Sequence, residues 1–267
     1  MAKRKSKISG WARNLLWVLL CLAVLMVSYQ NRKYFRRVYR YITHRYYKTE
    51  FKPSDFPDGY EVHGIDVSHH QDVIAWDKLR AISTEGDTIS FQFVYIKATE
   101  GILREDDMFS ENWDDAKDHR LIRGAYHYFL PDRSAKLQAA NYISTVKLKP
   151  GDLPPAIDVE EVRGKSKAEI VTCLKEFAGI IEAHYKVKPI IYSNINFIED
   201  YLADDFKEYK FWVAHFYQYE LVTGDSIQWV FWQHSDKADL LGINGNVDAN
   251  VFNGGREAFD SILITGQ

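Results

Sequence analysis

The sequence predicts an α/β fold: an irregular (β/α) barrel of eight strands, TIM-like in plan, preceded by one N-terminal transmembrane helix. Three observations carry that expectation. From Tyr60 onward short β-rich runs alternate with helix-like stretches, the pattern of parallel βαβ units. Acidic residues stand at the ends of several of those runs, where a barrel gathers them at one mouth. Ahead of the barrel, residues 14–27 read NLLWVLLCLAVLMV, with basic residues on either side.

The apolar run, extended to residues 11–29, approaches the ~20 residues a bilayer-spanning helix requires. A secretory signal peptide would also show a basic start and a short apolar centre. No small-x-small cleavage site follows the run, which favours an uncleaved signal anchor. Leu precedes Cys21, so a lipoprotein signal is not indicated. The expected organisation is a basic tail (1–10), the anchor (11–29), a basic and aromatic linker (30–58) and the barrel (59–267). Within the linker, residues 34–47 (YFRRVYRYITHRYY) suit either an amphipathic segment lying on lipid or a solvated stalk.

Candidate strands cover 62–67, 91–98, 122–129, 155–160, 189–193, 211–215, 229–234 and 246–248. Helices are expected over 109–119, 135–146 and 167–185, the last opening on a Ser166-x-x-Glu169 capping box. Residues 217–228 and 235–245 lack helical periodicity, so the final third should be irregular. No internal repeat or low-complexity segment interrupts the pattern.

Charge is divided unevenly. Residues 1–58 carry 13 Lys+Arg against 3 Asp+Glu, and the remainder 21 against 34. An acidic domain without a basic stripe repels phosphate backbones, so nucleic acid is excluded as the partner and a neutral or sugar-like substrate fits better. Cys173 is the one cysteine outside the apolar run; an intradomain disulfide is therefore impossible, and Cys173 reads as a small core residue.

The segment Pro155-Ala156-Ile157-Asp158-Val159-Glu160 is an apolar strand ending in two acids at i and i+2. Alternation along a strand turns Asp158 and Glu160 to one side and Ile157 and Val159 to the other. Two carboxyls in one site resist double ionisation, so one keeps its proton at a pH where a solvated carboxyl has lost it. Glycoside hydrolysis needs that pairing, a proton donor to the leaving oxygen and a second carboxylate for the cationic centre. Asp66, in GIDVS, and Asp248, in NVDAN, supply two further acids at strand ends.

The segments GIDVSHHQ (64–71), FVYIKATEG (93–101), RGAYHYF (123–129), AIDVEE (156–161), PIIYSN (189–194), FWVAHF (211–216), FWQHS (231–235) and NVDANVF (246–252) resemble the successive strand-end motifs of glycoside hydrolase family 25, the lysozymes that cut peptidoglycan. The resemblance implies a groove for alternating N-acetylmuramic acid and N-acetylglucosamine, cut at the β-1,4 bond with net retention and without a cofactor. It makes Glu160 the general acid/base. Asp158 would assist the substrate's 2-acetamido group or stabilise the oxocarbenium ion, and Asp66 and Asp248 would complete the acidic set. Substrate-assisted attack and a covalent carboxylate intermediate both stay open. An extracytoplasmic substrate places the barrel outside a bacterial cytoplasmic membrane, tethered as a single-pass monomer.

Tyr126, Tyr128, Tyr192, Trp212 and Trp232 lie in or beside these strand ends, where rings can pack on sugars; Tyr128 and Tyr192 are the better placed for contact. His69, His70 and His127 do not suggest a metal, since adjacent histidines on an extended segment point apart and no H-x-x-x-H spacing occurs. Lys97 is expected to end a strand and pair with a carboxylate. Asp72 stands where the family frequently has Gly. The alternatives are an inactive, membrane-tethered glycan-binding protein, against which the four acids argue, and a chitinase-like or endo-N-acetylglucosaminidase hydrolase.

Overall fold

The computed structural model describes residues 10–31, 34–35, 38–39, 56–79, 82–83 and 88–266. The chain divides into two compact units, residues 1–46 and 47–267. Residues 1–9 of the expected basic tail (1–10) and most of the 30–58 linker, with its choice between surface segment and stalk, lie outside the described residues.

In the first unit α1 (Gly10–Gln30) runs for 21 residues. Among the described residues no helix is long and apolar enough to cross a membrane. The expected transmembrane span is thus not found among them. The large apolar side chains of α1, Leu16, Trp17, Leu25 and Met26 among them, are nevertheless exposed.

The second unit is the barrel. Its strands are β1 (His63–Val67), β2 (Phe91–Glu100), β3 (Ile122–Tyr128), β4 (Ala156–Asp158), β5 (Ile190–Asn194), β6 (Phe211–Ala214), β7 (Trp229–Asp239) and β8 (Asn246–Phe252). Neighbours from β1 to β7 pair in parallel. Strand β8 closes the ring antiparallel to both β7 and β1. It is longer than the expected 246–248 and reversed, because a tight connection from the long β7 leaves no room for a crossover helix. The reversal matters for the mouth: the beginning of β8, not its end, lies beside the C-terminal ends of the other strands.

Helices α2 (Phe109–Asp118), α3 (Ala135–Thr145) and α4 (Lys167–Tyr185) fall within a residue of expectation. The capping box of α4 is made in both directions: Glu169 N–H donates to Ser166 Oγ at 3.4 Å and Ser166 N–H donates to Glu169 Oε2 at 2.9 Å. After β5 the chain forms a helical turn, Ile195–Phe197, continued by the wide turn Ile198–Leu202, which the sequence pattern had not indicated. Cys173 is half-buried against the core rather than sealed within it.

Two apolar layers hold the barrel. The outer one packs the strands' outward faces on α2, α3 and α4, with Ile157, Val159, Leu174 and Phe177 among its members. The inner one fills the barrel with Phe93, Tyr95, Trp212 and Phe231. Tyr95 stacks on Trp212 with ring centroids 4.8 Å apart, and Phe93 meets Phe231 at 5.0 Å. These rings fit because Gly124 presents no side chain: a Cβ there would come within 2.3 Å of Tyr95. The aromatic plug makes the lower barrel solid and leaves space only above it.

Past β1, His69–Gln71 is a 3₁₀ turn rather than the extended segment expected, and the His69 and His70 rings lie 4.1 Å apart instead of pointing opposite ways. Ser68 caps the turn, accepting from His70 N–H. Asp72 ends it at φ +51°, a backbone conformation that strains a residue with a Cβ and favours glycine. Asp72→Gly should therefore stabilise the protein by about 1 kcal/mol, read as a higher urea midpoint with an unchanged slope; a lower midpoint would show that the strain is illusory.

Candidate active site

At the C-terminal mouth an open pocket of about 340 Å³ is walled by the four expected acids, Asp66, Asp158, Glu160 and Asp248, with Tyr126, Tyr192, Trp212 and Gln233. Strand register explains the convergence. Tyr128, Asp158, Tyr192 and Trp212 are successive Cα partners across β3, β4, β5 and β6, so they share one layer. Asp66 and Asp248 are direct partners across β1 and β8. Glu160 lies two residues beyond the end of β4, on the same side as Asp158, exposed to the groove while Asp158 is buried. Val159 turns outward, its N–H donating to Tyr192 O at 3.1 Å and its carbonyl accepting from Ser193 Oγ at 2.5 Å. The i, i+2 spacing thus delivers both acids to one cavity, as alternation requires.

The carboxyls are organised in two pairs. Asp158 and Glu160 share a hydrogen bond, as do Asp66 and Asp248. Burial, then the Glu160 charge, pushes Asp158 far above the usual carboxylate range. Glu160 is raised too, first because the walls thin its hydration and then by Glu161, while the hydrogen bond from Asp158 and the Lys97 cation pull the other way. Asp66 is pushed up to about 6, mainly by burial against the lowering effect of its hydrogen bonds. Asp248 is pushed up to about 9, first by burial and then by the Asp66 and Asp236 charges. Each pair therefore keeps a proton near neutrality.

Two residues that sequence reasoning passed over hold this arrangement. Gln233 Nε2 and Asn250 Nδ2 both donate to Asp66 Oδ2, at 2.8 and 2.7 Å. Gln233 Oε1 accepts from Tyr192 OH at 2.7 Å, and Asn250 Oδ1 accepts from Trp212 Nε1 at 2.7 Å. Their signal was present: Asn250 is two residues past Asp248, hence on the same face of β8.

The same alternation corrects one aromatic expectation. Trp232 is not in the pocket. Because Phe231 and Gln233 face inward, Trp232 faces out, fully buried, with Nε1 donating to His215 O and its ring against Tyr60. Tyr126, Tyr192 and Trp212 do line the pocket, whereas Tyr128 stands beside it, hydrogen-bonded to Glu161 and facing the Lys97 ammonium at 4.9 Å. Lys97 pairs with Glu100 at 2.7 Å, as expected of a strand-end lysine. His69 Nδ1 bonds Asp106 at 2.6 Å, and His127 lies outside the barrel between Thr99 and Gln138. Among the described residues no group of three or more His, Cys, Asp or Glu could hold a metal.

These shifts carry a sign. A carboxyl whose pKa is raised by folding binds its proton more tightly in the native state, so stability falls as pH rises above the unfolded value. Between pH 7 and 9 the raised Asp158 and Asp248 dominate, against a smaller opposite contribution near pH 7 from the buried His127 and His234, which burial holds below their ordinary value. Thermal melts should show the midpoint falling steadily across that window; a midpoint that rises from pH 7 to 9 would contradict the assigned protonation.

The comparisons agree with this geometry. Residues 65–243 match Glycosyl hydrolases family 25. Lysozyme M1 of Streptomyces globisporus is 31% identical over 207 residues, 72% of this chain and 68% of that protein. The Escherichia coli K12 protein YegX, described as uncharacterized, is 44% identical over 78% of this chain and 75% of its own. A family 25 glycosyl hydrolase from Bacillus anthracis superposes with a TM-score of 0.70 at 29% identity, covering 78% of this chain and 96% of that one. The bacterial lysozyme of Streptomyces coelicolor does so at 0.68 and 30%, over 77% and 98%. With residues 65–243, two thirds of its length, matching the family model, the chain belongs to glycosyl hydrolases family 25.

Proposed function

We propose that the chain is a peptidoglycan hydrolase, a muramidase that cuts the β-1,4 bond between N-acetylmuramic acid and N-acetylglucosamine with net retention. The observation that carries this reading is the Asp158–Glu160 pair at the pocket, in which one carboxyl is buried and the other open to the groove. The proton shared by the pair serves the leaving glycosidic oxygen from Glu160, the more accessible member. Asp158 is left beside the anomeric centre as a carboxylate. Its Oδ1 is buried without a hydrogen-bond partner in the protein, a cost that an N–H from the substrate's 2-acetamido group would offset. That fits attack by the acetamido oxygen, with Asp158 orienting the group and stabilising its positive charge. Glu160, deprotonated after the first step, then activates water, and two inversions give retention. Tyr126 offers ring surface to the sugars, above the buried floor to which Trp212 belongs. The names of the Streptomyces lysozymes support the substrate class.

The exposed apolar side chains of α1, bordered by basic residues, support attachment to a membrane, with the barrel on the extracytoplasmic side of a bacterial cell. All four acids come from one chain, which supports action as a monomer.

Glu160→Gln deletes the transferable proton and keeps the shape. We expect reducing-end release from purified peptidoglycan to fall about 10²–10⁴-fold with glycan binding retained; near-native turnover would remove Glu160 from its role. Mass spectrometry of the wild-type digest should find muramic acid at the new reducing ends, and glucosamine there would instead favour the endo-N-acetylglucosaminidase reading. In cell fractionation the full chain should sediment with membranes, and its recovery in the soluble fraction would end the attachment proposal.

A further inference from the structure

The Asp66–Asp248 pair is not explained by the mechanism above, which uses only Asp158 and Glu160. Its proton can be located from the partners. An indole N–H only donates, so Trp212 Nε1 fixes which end of the Asn250 amide is oxygen: Oδ1 faces Trp212 and Nδ2 faces Asp66. Gln233 likewise turns its Nε2 to Asp66 while Oε1 accepts from Tyr192 OH. Asp66 Oδ2 thus receives two amide donors and carries no proton itself. A hydrogen bond between two carboxyls requires one proton, which Asp66 and Asp248 share. With two donors Asp66 is the better stabilised anion; among the described residues no side-chain amide donates to Asp248.

We infer that Asp248 enters the reaction as a neutral carboxylic acid, its proton donated to the Asp66 carboxylate and its remaining oxygen left to accept from a sugar hydroxyl or amide. Gln233 and Asn250 are the positioning residues that impose this asymmetry. The directions of titration agree, since Asp248 is held well above Asp66. The titratable groups facing Asp248 are Asp66 on β1, Asp236 on β7, Glu160 past β4, and the phenols Tyr126, Tyr192 and Tyr217; none of them is a cation that would hold it ionised at neutral pH. The consequence is functional. An additional anion near Glu160 would raise the proton affinity of that group further, whereas a neutral Asp248 spares it that repulsion.

The inference rests on the hydrolase reading for its kinetic part only, and the first measurement needs no substrate. In the full chain labelled with ¹³C-carboxyl aspartate, the Asp158 and Asp248 resonances should both stay in the protonated range to pH 8, and the one missing from Asp248→Asn should titrate above it. Titration of the Asp248 resonance below pH 6 would overturn the inference whatever the enzyme cuts. In the digest assay Asp66→Asn should lose at least about 100-fold in kcat, because it removes the anion, while Asp248→Asn should lose no more than about tenfold, because an amide can reproduce a neutral acid's donor and acceptor. Equal losses would also overturn it. Gln233→Leu takes one donor from Asp66 and should move the acid limb of the kcat/KM profile upward by about one pH unit; a uniform loss at every pH would reduce Gln233 to a structural role.

Discussion

Four carboxyls crowded into one partly dehydrated pocket are the constraint on which the rest of the structure depends. Two unit charges ~4 Å apart repel by about 4 kcal/mol at an effective dielectric of ~20, the equivalent of roughly three pKa units. Burial adds to that penalty. The protein meets it by pairing the acids, so that Asp158 with Glu160 and Asp66 with Asp248 each retain a proton. Stability is lost where function needs the site, a common trade at active sites.

Holding such a site requires a rigid floor, and the aromatic plug provides one. Trp212 belongs to both: its ring stacks on Tyr95 in the plug, and its N–H orients Asn250 toward Asp66. Tyr192 has the same double duty through Gln233. Packing and electrostatics are thereby joined, since a shift in the inner layer would move the amide donors and with them the balance between the acids.

Most of this was legible in the sequence where a local rule governed. Period-two alternation placed Asp158 and Glu160 on one side, and the Ser166-x-x-Glu169 pattern set the start of α4. Failures came where a rule was not applied or where tertiary closure prevailed. Alternation through Phe231 would have turned Trp232 outward and Gln233 inward. The reversal of β8 depends on how the ring closes, which no local pattern encodes, although Asp248 still arrives at the mouth because the strand enters there. The 3₁₀ turn at His69 was hidden because Ser68 and Gln71 form a capping box too short to show periodicity.

The central claim is that the strand-end pair works on a glycan lying in this pocket. A crystal structure of the Glu160→Gln variant with a bound peptidoglycan oligosaccharide tests it most directly. We expect the scissile oxygen within hydrogen-bonding reach of residue 160 and the acetamido N–H on Asp158 Oδ1. A saccharide bound with its glycosidic bond away from both side chains would contradict the account.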